Sequence, residues 1–375
     1  MSHVKAGAGL SRRRVLVGSL ATLAGVPVAW AAAPDVVDVL RRPATPSAKA
    51  QSSVMIAIAR AGDRLVAVGE RGIVLLSDDH GVTWRQAKVP VSVSLTAVQF
   101  VDAQRGWAVG HSGTVLSSAD GGTSWTPQLD GAQAARIALE AARAETGSAR
   151  ESNGEVGRKR LSDAEGLVAD GPDKPFLDVR FTDARNGLIV GAYGLAFRTL
   201  DGGQSWQSWI GRLPNPRGKH LYRVGAAGKR MFIVGEQGLV LRSDDDGERF
   251  TSIETPYAGT YFGMHAYADV GLLAFGLRGN AYWSMGADKQ WVKVDLGTSN
   301  TLVDRVVLAN GSLLLVDQQG QTFVSSSTAR SGSFTRSTLS FGVPVSALVQ
   351  AADGSLVAAS LHGVRRMAAT PAVAN

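Results

Sequence analysis

At 375 residues the chain could hold two average domains or one large all-β domain, and 45% hydrophobic content suffices for a sizeable core. The formal charge is +7, but Lys5, Arg12, Arg13 and Arg14 lie in an acid-free leader. The remaining 35 basic and 32 acidic residues are too balanced to argue for nucleic acid as a partner. Cysteine is absent, which excludes disulfides and thiolate metal sites, and 44 glycines without a collagen-like period point to many tight turns.

In chain order, the leader comes first. Ser11-Arg12-Arg13-Arg14-Val15-Leu16 opens an apolar run through Trp30, and Ala29-Trp30-Ala31 offers small residues at cleavage spacing. A basic stretch, a short apolar core and such a site describe a signal peptide over residues 1–33, in a pattern resembling the twin-arginine export signal. A periplasmic location follows. Residues 34–375 are then the folded part.

Five segments superpose without a gap. They begin at Val66, Trp107, Leu188, Phe232 and Leu273, and looser sixth and seventh copies begin at Leu314 and Val357. The second Gly of each G-x-x-G stretch, or its counterpart, falls at Gly72, Gly113, Gly194, Gly238, Gly279, Gly320 and Gly363. The separations are 41, 81, 44, 41, 41 and 43 residues, and only the 81 is anomalous. Each unit reads as four short strands, which at this period is one propeller blade. The predicted fold is therefore all-β, a seven-bladed β-propeller of four-stranded blades with a helical or disordered insertion between blades 2 and 3. After Gly363 the last blade has sequence for only a third strand. Val36 to Leu40 could supply the fourth, locking the ring as an N-to-C clasp.

Ser77-x-Asp79-x-Gly81-x-Thr83-Trp84 recurs as Ser118, Asp120, Gly122 and Trp125, and as Thr199, Asp201, Gly203 and Trp206. It weakens to Ser243, Asp245, Gly247 and Phe250. These Asp boxes are structural in expectation. Hydroxyl and carboxylate groups cap turn amides, Gly supplies positive φ, and the aromatic ring fills a seam between blades. A calcium loop would need more converging oxygens than one or two Asp per hairpin.

The insertion spans residues 131–175. Ala132 to Glu145 is rich in helix formers, whereas Gly147 to Lys174 reads as polar and weakly ordered. A basic, Pro-containing loop from Gly211 to His220 follows the third copy.

The unit G-W-A-V-G-x-x-G-x-V-x-x-S/T-x-D-G-G-x-S/T-W resembles the repeat of the photosystem II stability and assembly factor family. The preceding Val98-x-Phe100-x-Asp102 and Val179-x-Phe181-x-Asp183 match it too. The resemblance covers about residues 50–370 and is tightest in copies one to four. It implies a seven-bladed, exported, non-enzymatic propeller that binds an unassembled reaction-centre subunit. Related sequences in bacteria without photosynthesis make a periplasmic binding or assembly role the firmer implication.

In a propeller, the turn between second and third strands shares a face with the blade-to-blade connections. That face holds the insertion and the loop from Gly211, and loops on a rigid scaffold are where binding concentrates. The candidate partner-binding residues there are Arg71, His111, Tyr193, Arg212, Arg217, Lys219, Glu236, Arg278 and His362. The expected partner is a protein, a membrane or envelope complex subunit, bound by a monomer without metal or cofactor. Membrane contact would come only through the leader or that partner. The alternative is a sialidase-like glycoside hydrolase, since such enzymes share Asp boxes. Against it, the Phe-Arg-Ile-Pro motif of sialidases is missing, and no catalytic carboxylate pair stands out.

Overall fold

The computed structural model describes residues 38–148, 154–267, 271–286, 290–325 and 333–368. The leader, residues 1–33, lies outside these, as do Val36 and Val37. Seven antiparallel sheets follow one another in sequence, six of four strands and the last of three. The first strands begin at Met55, Leu95, Phe176, Leu221, Tyr261, Leu302 and Val345. Each first strand packs against those of the neighbouring blades, so together they line the central axis. This is the seven-bladed propeller that the repeat spacing predicts.

Second strands are buried along their length, as in Leu313–Asp317 and Gly187–Gly191, because blades cover both faces of one another. Accordingly there are seven apolar clusters, one at each junction between consecutive blades. The box aromatics occupy these seams. Trp125 sits between blades 1 and 2, Trp206 between 2 and 3, and Phe250 between 3 and 4. Trp84, only partly buried, packs between blades 7 and 1.

Among the described residues the ring does not close by the expected clasp. Asp38 to Leu40 form part of a turn rather than a strand, and the Val39 carbonyl accepts the Ser92 amide at 2.9 Å, beside the connection from blade 1 to blade 2. Among the described residues, blade 7 has three strands, Val345–Gln350, Leu356–Ser360 and Gly363–Met367. Closure comes from packing instead. Val357 and Ala359 of blade 7 join Ile58, Leu65 and Leu75 of blade 1, and Ser346 Oγ donates to the Met55 carbonyl at 2.7 Å. The junction copies the ordinary one. A Cβ on Gly72 would strike the Val91 carbonyl leading into blade 2, and one on Gly363 would strike the Gln51 carbonyl leading into blade 1. Side-chain burial is additive along such a seam, so it needs no exchanged strand.

The boxes do what their chemistry predicts. Ser118 Oγ accepts the Gly122 amide at 2.9 Å, while Asp120 accepts the Ser124 amide at 2.9 Å and the Ser124 hydroxyl at 2.6 Å. The same pattern holds at Ser77/Asp79, Thr199/Asp201 and Ser243/Asp245, though Arg249 replaces the last hydroxyl donor. Each box turn also docks on the preceding blade. Arg64 reaches the Asp120 and Gly121 carbonyls, Trp107 Nε1 the Gly202 carbonyl, and Trp209 Nε1 the Gly247 carbonyl. The Trp206 indole nitrogen, by contrast, has no hydrogen-bond partner among the described residues.

The hydrogen bond from Thr83 Oγ1, with the Thr83 amide, holds the Asp79 carboxyl at about 2, below its ordinary 3.8. A carboxylate depressed in the folded state contributes stability above its unfolded pKa, and that contribution disappears as pH falls through the folded value. Stability should therefore hold down to about pH 4 and decline toward pH 2. Asp79→Ala should blunt that decline in acid-unfolding curves. Asp120→Ala should cost about 1–2 kcal/mol at neutral pH, the scale of a lost turn cap, measured by chemical denaturation. An unchanged midpoint would remove the structural role.

Candidate protein-binding face

Five of the seven turns between second and third strands share one conformation. In blade 1 the Ile73 amide donates to the Glu70 carbonyl at 2.9 Å across Arg71 and Gly72, whose φ values are 53° and 72°. Positive φ at both central residues is the type I′ hairpin turn. Blades 2, 3, 4 and 5 repeat it at Ser112, Tyr193, Gln237 and Arg278, each followed by the glycine. Arg71, Tyr193 and Arg278 are exposed at these tips, and so are His111 and His362 in their turns.

The box turns lie at the opposite ends of the strands. The Gly121, Gly202 and Asp246 amides donate to the Gln104, Arg185 and Lys229 carbonyls of the first hairpins. Two faces result.

Between blades 2 and 3 the turn face carries a helical hairpin, α1 (Gly131–Ser148) and α2 (Gly154–Asp170). Asp130 and Gln133 begin α1 as a reciprocal capping box, each side chain accepting the other's amide at 2.8 and 2.9 Å. Ala134 and Ala138 then press α1 onto Leu129, Phe176 and Leu195, small side chains permitting the close approach. Within the segment 147–174, expected to be weakly ordered, the second helix corrects that expectation over Gly154–Asp170, while residues 149–153 lie outside the described residues. Arg160 pairs with Glu145 of α1 at 3.0 Å, and Leu167 reaches the blade 2–3 core. Composition misjudged this segment because its order comes from docking rather than from its own polar sequence.

The hairpin and blade 3 enclose a cleft of about 800 Å³. Ala138, Ala142, Leu167 and Ile210 contribute apolar surface, and Lys159, Asp163, Lys174 and Arg217 contribute charge. Tyr193 stands at its edge with 57% of its surface exposed. Lys174 lies 5.0 Å from the Tyr193 ring but is already paired with Asp170 and Asp173.

The structure brings Tyr193, Arg217, Lys219 and Glu236 into this neighbourhood. Lys219 Nζ donates to the Gln237 carbonyl at 3.3 Å, tying the basic loop to the blade 4 turn. The exposed Arg212 lies with its guanidinium 4.5 Å from the buried Trp209 ring, and Arg198 lies 4.9 Å from the same ring. Glu236 accepts the His220 amide at 2.8 Å, as Glu70 accepts the Val54 amide at 3.1 Å. Both glutamates thus cap the start of their own blade. Arg71, His111, Arg278 and His362 stand separately on blades 1, 2, 5 and 7.

The residue reading missed two features. The first is an ion network on the axis. Arg223 of blade 4 reaches Asp178 of blade 3 at 3.7 Å and Asp304 of blade 6 at 3.3 Å. Asp178 and Asp304 also accept the Val224 and Leu348 amides, at 2.8 and 2.9 Å. Arg180 and Arg305 lie nearby; Arg180 Nε has no hydrogen-bond partner among the described residues, and Arg305 donates to the Met264 carbonyl at 3.2 Å. Burial, with Arg305 beside it, pushes His265 down to about 4. The signal was available, since the third residue of the first strand is Ala in blades 1, 2 and 7 and Gly263 in blade 5, but Asp178, Arg223 and Asp304 in blades 3, 4 and 6. The second feature is a bulge after the first residue of every first strand. It places Tyr222 and Phe262 at the junction of blades 4 and 5, rings 4.9 Å apart.

Among the described residues no group of three or more His, Asp or Glu side chains is placed to hold a metal, and no helix is long and apolar enough to cross a membrane.

Fold and face together define a seven-bladed Asp-box propeller whose turn face is built up by a helical hairpin. Residues 76–143 and 168–257 match the family described as Photosynthesis system II assembly factor YCF48. A 77-residue stretch is 34% identical to the photosystem II assembly lipoprotein Ycf48 of Synechococcus sp. (strain CC9902). That stretch is 20% of this chain and spans only 23% of the relative's length. The structure of YCF48 bound to D1 peptide superposes with a TM-score of 0.60 at 13% identity, over 85% of this chain and 94% of that one. YCF48 from Cyanidioschyzon merolae gives 0.59 at 15%, over 86% and 97%. Streptogramin B lyase gives 0.61 at 10%, over 84% and 93%, so the same fold also serves an enzyme. Over these stretches the chain is similar to the photosystem II assembly factor propellers, and the solved structures share its fold.

Proposed function

We propose that this chain is an exported, non-catalytic binding and assembly factor that holds a segment of a protein partner on its turn face. The cleft between the helical hairpin and blade 3 carries this reading, because it sets apolar surface, the exposed Tyr193 and the charge of Arg217 side by side. Aromatic and arginine side chains are the usual anchors of interfaces. The partner is a membrane or envelope complex subunit reached in the periplasm, and the propeller acts as a monomer. A YCF48 structure holding a D1 peptide supports a peptide segment as the thing bound.

The hydrolase alternative loses its two best carboxylates. Glu70 and Glu236 cap strands in blades 1 and 4, and each already accepts a backbone amide. A retaining or inverting pair must instead flank one glycosidic bond.

The test is capture of the tagged protein from the periplasm with quantitative mass spectrometry of what comes with it. Arg217→Glu with Lys219→Glu should lose the specific partner, while Asp79→Ala with Asp201→Ala, still folded, should keep it. The reverse result would place the partner on the box face.

A further inference from the structure

The turn face holds a feature that neither the cleft nor the repeat explains. Four rings touch in succession across three blades. Tyr193 of blade 3 lies 4.9 Å from His220, His220 lies 6.2 Å from Tyr222 of blade 4, and Tyr222 lies 4.9 Å from Phe262 of blade 5. Their interplanar angles run from 61° to 75°. Only Tyr193 is widely exposed; the others are half-buried. At the equivalent bulge position, blades 1, 2, 3, 6 and 7 carry Ile56, Thr96, Leu177, Val303 and Ser346. The rings therefore serve no requirement of the repeat.

We propose that this track seats an extended, carboxylate-bearing peptide segment of the partner, gripped by one aromatic or branched aliphatic side chain against Tyr222 and Phe262. The inference rests on the turn-face reading above and names its ligand. Rings that meet edge to face leave notches between their edges rather than a broad open plane. Notches suit a planar or branched side chain, whereas a sugar ring needs an uncovered aromatic face. The charge points the same way. Arg217 and Lys219 flank the Tyr193 end, and neither pairs with a carboxylate among the described residues. Acidic groups on the segment would be drawn to this side and oriented along it.

The test uses the full mature chain and three fluorescein-labelled twelve-residue peptides. The first mixes Asp, Glu, Gly and Ser around a central Phe-Leu; the second has Ser-Ser at the centre; the third has Lys for every acid. Fluorescence anisotropy should show binding of the first, weakened about tenfold or more in the second and third, the scale of losing an interface anchor. Tyr193→Ala and Phe262→Ala should each weaken the first peptide to a similar degree. The exposure of Tyr193 means its replacement will not unfold the blade, so that variant decides the matter if Phe262→Ala proves unstable. Equal binding of all three peptides, full affinity in Tyr193→Ala, or displacement by chito-oligosaccharide would overturn the track. In periplasmic capture, loss of the partner by Arg217→Glu with Lys219→Glu but not by Tyr193→Ala would overturn the track and leave the turn face standing. Loss by the box variants alone would overturn the face itself.

Discussion

Replacing Arg223 with alanine is expected to lower the unfolding free energy by about 3–5 kcal/mol, the cost of breaking a buried ion pair from one side. Its guanidinium lies between Asp178 and Asp304, whose side chains are 7% and 11% exposed. Without it, two carboxylates remain on the axis with no other hydrogen-bonded cation among the described residues, and burial already pushes the Asp178 carboxyl up. Chemical denaturation of Arg223→Ala measures the loss. A single-variant loss under about 1 kcal/mol would mean water in the channel screens these groups as at an open surface.

Trp107→Ala should cost a comparable amount, about 3–5 kcal/mol, as large aromatic truncations in cores do. Trp107 is 3% exposed and stacks on Phe181 with centroids 3.5 Å apart and planes within 4°. Its indole nitrogen donates to the Gly202 carbonyl at 3.1 Å, so one side chain of blade 2 touches both the core and the box turn of blade 3. Gly202 keeps the Gln128 Nε2 donor at 2.9 Å, so the carbonyl is not orphaned and the loss is one of packing. Trp107→Phe should therefore cost much less, because the stack survives. Equal losses in the two variants would shift the weight to the hydrogen bond. Thermal and urea unfolding of both distinguish these outcomes.

The candidate face was half legible. Repeat register puts Tyr193 on the turn face, since every turn glycine keeps its phase, and the blade-to-blade connection puts Arg217 and Lys219 there too. Glu236 is on that side too, but its carboxylate is already engaged by a backbone amide. Residue type announces the capacity to bind, and only contacts show that the capacity is already used. Tyr222 and Phe262 escaped notice because a bulge displaces them, and a bulge leaves no mark in an alternating strand pattern.

The sequence by itself determined the number of blades, the turn and box geometry, and the site of the insertion. These are local matters. Positive φ at Gly72 and its counterparts, and hydroxyls capping amides four residues on, need only neighbours in the chain. The tertiary structure decided how the ring closes, how α2 is ordered, and which groups meet on the axis. Each of these depends on residues from different blades, such as Arg223 with Asp178 and Asp304, or Val357 with Leu65. At those positions the copies diverge, so the period that makes the fold readable carries no information about the pairing.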